Sequence, residues 1–232
     1  MKRDVIYTNG LVLAADNSGS VGEKPGDTVK ADYETVGYFS ARVALMECLA
    51  AGGEPFAAVL QNFAGETAWK SLIKGIERAA DQAGCRIEIT GSTETNFTMS
   101  ESAVSITVIG RHIHRAEPFD REAVCYAVIG KPLVGPEVLA EPDYVAPLSL
   151  FRQVLEAEGV KSVWPVGSKG IIHEMRNVTN NEELQIEHIQ CSLDAGKSAG
   201  PATCFLIAVT HEEAQRLEAL CRPLYTPVGV QL

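Results

Sequence analysis

Three carboxylates, Asp16, Glu47 and Glu94, stand where α/β proteins commonly do chemistry. Asp16 follows the apolar run "GLVLAA", and Glu94 comes just after "CRIEIT". Glu47 lies in the last turns of a helical stretch, "ALMECLAAGGEP", that Gly52 and Gly53 bring to a stop. Ligands gather at the carboxyl ends of strands, which is where Asp16 and Glu94 are expected. Glu47 is one residue from Met46 and one turn from Val43, so its head is expected to point toward packed structure. If the three converged to about 4 Å, each like-charged pair would cost about 4 kcal/mol at an effective dielectric of about 20. Such a cluster demands a cation, and all-oxygen ligands suit Mg2+ rather than zinc. Taken singly, each acid has an ordinary alternative: Asp16 as an Asx turn, Glu47 as a solvated helix residue, Glu94 as a turn acid with its head in water.

The elements that must position these acids follow from periodicity. A short buried strand at Gly10–Ala15 runs into "DNSGSVGEKPGD", whose Gly, Ser, Asn and Pro content predicts a long mobile loop. Val36, Phe39, Val43, Met46 and Ala50 then recur at helical spacing. A strand "PFAAVLQNF" follows, and after it a helix with Trp69, Leu72, Ile73, Ile76 and Ala80 on one face and Gly84 as its C-terminal cap. "CRIEIT" and "AVSITVIG" read as strands, the latter alternating Val104, Ile106 and Val108. The charged "RHIHRAEPFDREA" places a domain boundary near Ala116, dividing the chain into 1–115 and 116–232. Beyond it the layout restarts with strands "VCYAVIG", "VKSVWPV" and "CFLIAV" and helices "LSLFRQVLEAEG", "GIIHEMRN" and "HEEAQRLEALC", the last with a capping pattern at Thr210 and Glu213.

With 232 residues, 46% of them hydrophobic, the chain can bury a substantial core. Its apolar runs are too short to span a bilayer and the first ten residues lack a signal-peptide pattern, which predicts a cytoplasmic protein with no membrane partner. A net charge of −10 repels nucleic acid, so no nucleic-acid partner is expected, although a polyanion such as a nucleotide can bind through a divalent cation. The six cysteines form no C-x-x-C pair and read as small core fillers, and the five histidines, which lack ligand spacing, read as surface or structural.

The order of these segments carries a resemblance. "LAAD", "MECLAAGGEP", "GSTET" and "AVSITVIG", from Leu11 to Gly110, resemble in turn four parts of the ATP-binding half of the aminoimidazole ribonucleotide (AIR) synthase superfamily. These are its strand ending in Thr-Asp, its Ser-Asp-x-x-Ala-x-Gly-Ala-x-Pro helix, its Gly-Gly-Asp/Glu-Thr turn and its sheet-closing strand. Glu47 departs from the usual Asp, "GST" departs from the Gly-Gly pair, and no clear Gly-Asp-Asp segment precedes the first strand, Asp4 being its remnant at most. The second half matches weakly, at "WPVGSKGIIHE", where Lys169 stands in place of an acid or arginine.

The resemblance implies a PurM-like α/β (α+β) fold: an N-terminal ATP-binding domain with a mixed or antiparallel sheet, and a compact C-terminal α/β domain. It implies ATP and Mg2+ as cofactors, with Asp16, Glu47 and Glu94 as metal ligands. Asn17, Ser18, Gly19, Lys24 and Lys30 of the loop would fold over the phosphates, with Gly91 and Lys169 near the nucleotide or its acceptor; a disordered connector and a surface lysine are the alternatives for the loop and for Lys169. No cysteine precedes Cys48, and the chain ends "YTPVGVQL", which separates it from the members that work through a terminal cysteine or selenocysteine. Transfer of the ATP γ-phosphoryl to the hydroxyl of a small, nucleoside-like alcohol remains, and "PVGSKGI" is similar to the α-ribazole kinases of cobalamin salvage. Activation of an amide or amidine oxygen and nucleotide binding without turnover are the rival expectations. Pairing of the N-terminal sheets, as in these relatives, implies a homodimer.

Overall fold

The structure, a computed structural model, describes residues 3–113 and 118–231. The chain divides into two compact units, Asp4–Arg115 and Ala116–Leu232, with Met1–Arg3 grouped with the second. The boundary expected near Ala116, and His114, fall outside the described residues.

The first unit holds β1 (Val5–Thr8), β2 (Leu11–Gly19), β3 (Val21–Gly22), β4 (Val29–Lys30), α1 (Tyr33–Ala50), β5 (Gly53–Asn62), α2 (Trp69–Gln82), β6 (Glu88–Thr93) and β7 (Ala103–His112). Its five-stranded sheet has the order β1-β2-β7-β5-β6. All its pairings are antiparallel except β5 with β6, the two strands joined through α2. Pro55, which has no N–H to give a ladder, sits at the register shift between Pro55 and Ala57.

Alternation decides which face α1 covers. Val104, Ile106 and Val108 are 3%, 0% and 0% exposed, and Val12, Ala14, Ala58 and Leu60 join them in the core. α1 starts at Asp32, whose carboxylate accepts from Thr35 N at 2.7 Å and Thr35 Oγ1 at 3.1 Å. It ends at Gly52, whose φ of +78° only glycine adopts freely. The stripe expected from periodicity is met only in part: Val36 and Met46 are buried but Phe39, Val43 and Ala50 only half-buried, whereas Ser40, Ala41, Arg42, Ala44 and Leu45 are buried because the helix lies between the sheet and α2. The two helices nearly touch. A Cβ on Gly75 would stand 2.0 Å from Glu34 O, and one on Gly37 would stand 2.3 Å from Leu72 O. Across this seam Glu34 pairs with Lys74 at 2.7 Å and Arg78 at 2.9 Å.

The segment expected to be a long mobile loop is neither long nor open. β2 continues through Asp16, Asn17, Ser18 and Gly19, paired with Ile106, Ser105, Val104 and Ala103 of β7. The chain then closes on itself: Val29 N donates to Ser20 O, Ala31 N to Gly22 O, and Ser20 N to Ser102 O. Asp27, 5% exposed, is the clasp, accepting from Lys24 N at 2.8 Å, Ser102 N at 2.6 Å and Ser102 Oγ at 2.7 Å. Burial pushes its carboxyl up, but the bonds from Ser102 and Lys24 and the charge of Lys30 outweigh it and hold the pKa below 3.8. The clasp therefore stabilises the fold above the ordinary carboxylate range and is lost as pH falls through the lower folded value. Asp27→Ala, which leaves three donors unmatched, should cost about 2–3 kcal/mol in urea unfolding and speed proteolysis within residues 20–30. An unchanged midpoint would show that the segment is closed by its other contacts.

The second unit holds β8 (Val124–Ile129), α3 (Pro136–Ala140), α4 (Leu148–Leu155), β9 (Val160–Pro165), α5 (Gly170–Thr179), β10 (Ile189–Gln190), β11 (Phe205–Thr210), α6 (His211–Cys221) and β12 (Tyr225–Val230). Its sheet, ordered β10-β12-β8-β11-β9, is antiparallel throughout. Val128, Trp164, Leu206 and Ala208 pack with Ile171, Met175 and Val178 of α5. On the other face Phe151 of α4 meets Phe205 edge-on at 5.1 Å. Thr210 is the N-cap of α6, as its position predicts, but its side chain makes no capping bond, and Glu213 pairs with Arg216 instead. Arg3 also belongs to this unit: its guanidinium lies 4.0 Å over the Trp164 ring and donates to Ser162 Oγ at 3.4 Å.

Candidate functional site

Asp16 occupies the same face of β2 as Val12 and Ala14, the face that α1 covers, but lies beyond the fully buried part of the strand. Burial raises its pKa from 3.8 to about 7, opposed only in part by a bond from Asn17 N–H. A half-buried carboxylate that titrates near neutrality is the kind of group active sites hold.

The other two acids do not join it. Asp16 is in register with Ile106, Ile106 with Leu60, and Leu60 with Gly91, so β7 and β5 separate Asp16 from the strand that leads to Glu94. Three strand spacings amount to about 14 Å. β6 runs on through Gly91, Ser92 and Thr93, which moves Glu94 further along the strand than a turn directly after "CRIEIT" would. Glu94 acts as a turn acid: its Oε1 accepts from Asn96 N at 2.6 Å and Phe97 N at 3.2 Å. Glu47 is half-buried beside Cys48, whose Sγ would lie 2.7 Å from a Cβ on Gly53 and 2.6 Å from one on Gly110. That end of the sheet is also the Val12 end, about 13 Å along β2 from Asp16. Among the described residues no three His, Cys, Asp or Glu side chains are grouped to hold a metal ion. Magnesium binds at about 2.1 Å in near-octahedral geometry, so Asp16, Glu47 and Glu94 do not fit a single Mg2+ cage as they are placed here.

The residues expected to close over phosphates are engaged within the unit. Asn17, Ser18 and Gly19 are ladder residues of β2. Lys24 Nζ donates to Phe63 O and Glu101 O at 3.1 and 3.2 Å, and Lys30 Nζ to Lys24 O and Pro25 O at 2.6 and 3.1 Å. Gly91 has a packing reason of its own, since a Cβ there would lie 1.9 Å from Leu60 O.

A second candidate surface lies wholly in the second unit. Gly167, Ser168, Lys169 and Gly170 lead into α5, with Ser168 and Lys169 exposed. Two N–H groups at this helix start are already engaged: Ile172 N donates to Ala195 O and Gly170 N to Gly167 O. The partner of this turn went unnoticed in the sequence. Residues 195–200, "AGKSAG", lie against it, with Ala199 N donating to Gly167 O at 3.1 Å. Gly170, at φ +75°, could carry no side chain, because a Cβ would stand 2.7 Å from Ala195 O. The two small-residue turns bring Lys169 and Lys197 to one region, Lys197 being paired with Glu137 at 2.9 Å. The second Gly-Ser-Lys cluster was the available signal.

Comparisons with known proteins agree with this layout. Residues 5–112 match the family model described as AIR synthase related protein, N-terminal domain. No curated protein matches the chain significantly. Among solved structures, HypE in a HypE–HypF complex aligns at 15% identity and a TM-score of 0.64, over 99% of this chain and 88% of that one. Thiamine monophosphate kinase from Aquifex aeolicus aligns at 13% identity and a TM-score of 0.60, over 95% and 84%. The hydrogenase maturation protein HypE in complex with ATP aligns at 12% identity and a TM-score of 0.56, over 94% and 76%. No helix among the described residues is long and apolar enough to cross a membrane. The chain thus has a PurM-like fold whose first unit matches the N-terminal domain of AIR synthase related proteins.

Proposed function

We propose that the protein is an ATP-dependent enzyme that transfers the γ-phosphoryl group to the hydroxyl of a small, nucleoside-like acceptor, with α-ribazole as the leading candidate. The observation that carries this reading is Asp16: a half-buried carboxylate titrating at about 7, on a strand of the unit that matches the AIR synthase-related domain. Solved structures of the same fold include a kinase and an ATP complex. Phosphoryl transfer asks little covalent work of a protein and depends on positioning and charge stabilisation. Mg2+, when it accompanies ATP, neutralises phosphate charge; the three acids, as placed here, do not form a cage for it. Asp16 would face the nucleotide side of the reaction. A homodimer through the first unit's sheet is part of this reading, supported by Leu13, Val59, Thr107 and Ile109, half-exposed on the face away from α1.

The test is product analysis with the purified protein, ATP, Mg2+ and a panel of nucleosides that includes α-ribazole. ADP and a phosphorylated alcohol should form only when a hydroxyl acceptor is present. ADP and inorganic phosphate with an amide or amidine substrate would favour the synthase reading that the family description suggests. Neither product with any substrate would leave nucleotide binding without turnover.

A further inference from the structure

We propose that Cys125 and His211 form a reactive thiol–imidazole pair, and that Cys125 is a site of reversible mixed-disulfide formation with a low-molecular-weight disulfide. Cys125 is the second residue of β8 and His211 the first of α6, and Cys125 Sγ lies 3.0 Å from His211 Nδ1. With its proton on Nε2, the imidazole offers Nδ1 as the base for the thiol. Cys125 is half-buried and His211 exposed, so a reagent can approach the sulfur. A cleft of about 620 Å3 adjoins it, lined by Cys125 with Arg121, Tyr126, Gln215, Glu218 and Tyr225. That volume lies within the range of small-molecule sites.

The other cysteines differ. Cys48, Cys85, Cys204 and Cys221 are buried, and burial raises the Cys48 thiol to about 12 and the Cys221 thiol to about 11. Cys191 is half-buried, but burial raises its pKa and its sulfur accepts from Leu193 N at 3.4 Å. Cys125 is thus a thiol in direct contact with an imidazole beside a cleft.

The exchange balances with the small disulfide itself as the oxidant. The Cys125 proton passes to His211 Nδ1, and the thiolate attacks one sulfur of the small disulfide. Its S–S bond breaks as the Cys125 Sγ–S bond forms, and the released thiolate takes the proton back from the imidazolium. One disulfide is consumed and one is made, so Cys125 is oxidised and half of the reagent is reduced to a thiol.

The experiment uses the full-length reduced protein with glutathione disulfide, read by intact mass and peptide mapping. Cys125 should carry the first adduct, dithiothreitol should remove it, and His211→Gln should slow its formation by about tenfold or more. Cys125→Ser should abolish the first adduct. Iodoacetamide provides a second measure, alkylating Cys125 faster in the native protein than in 6 M guanidinium, where the pair is apart. The proposal is overturned if another cysteine reacts first, if His211→Gln leaves the rate unchanged, or if Cys125 is alkylated no faster in the native protein than in the denatured one.

Discussion

Gly75→Ala should destabilise the first unit by about 2–3 kcal/mol and lower its melting temperature by roughly 10 °C, although alanine is the better helix former by about 1 kcal/mol. Helix propensity and packing make opposite predictions here, and the distances decide between them. An added Cβ would stand 2.0 Å from Glu34 O and 2.6 Å from Tyr38 N, both backbone atoms of α1 that cannot rotate away. The helices must then separate, which strains the Glu34 pairs with Lys74 and Arg78 and the bond from Tyr38 Oη to Gln82 Oε1 at 2.7 Å. Close packing transmits such a shift to neighbouring side chains instead of absorbing it. Urea unfolding gives the magnitude, and hydrogen exchange in α1 and α2 locates it. A gain in stability would mean that the two helices part at little cost and that the seam is not what holds this unit together.

Asp16→Asn should have two opposite effects. If the proposed function holds, ATP-dependent turnover should fall at least about 100-fold, the scale on which a single electrostatic contact acts in a transition state. Stability should move the other way. The folded pKa of Asp16 is raised from 3.8 to about 7, so between these values the folded chain binds more protons than the unfolded one, and stability falls as pH rises through that window. Above pH 7 the wild type keeps a half-buried negative charge that asparagine lacks. The variant should therefore be more stable by about 1–2 kcal/mol at pH 8 and match the wild type near pH 4. Chemical unfolding at the two pH values, beside the turnover assay, separates the outcomes. A stability gain with unchanged turnover would keep Asp16 as a buried acid and remove it from the reaction, whereas turnover lost with no pH-dependent gain would contradict the raised pKa.

Periodic stretches were legible in the sequence. Val104, Ile106 and Val108 announce a strand with one face in the core, and Leu72, Ile76 and Ala80 announce the buried side of α2. Where polar or small residues take part in pairing, local propensity gave way to tertiary contact. Asn17, Ser18 and Gly19 have the composition of a turn, yet β7 supplies partners that extend the strand through them. "VIYT" at Val5–Thr8 was too short to stand out beside a charged start, and it is a strand because β2 pairs with it. The candidate site was legible in part. Asp16 emerged from its place after an apolar run, but its convergence with Glu94 depended on how many strands lie between them, and with Glu47 on which end of the sheet the helix end meets, matters of tertiary arrangement that no local pattern encodes. The Cys125–His211 contact was invisible for the same reason, since 86 residues separate its members.

Arg3 rests on the indole of Trp164, and it is 159 residues from Ser162, the other group it meets. During synthesis the cation leaves the ribosome long before the strand that receives it, and it must wait through the production of a whole preceding unit. A dissection of the gene at the boundary would accordingly deliver the later piece without one of its own contacts, and a fragment begun at residue 118 would leave that aromatic ring uncovered.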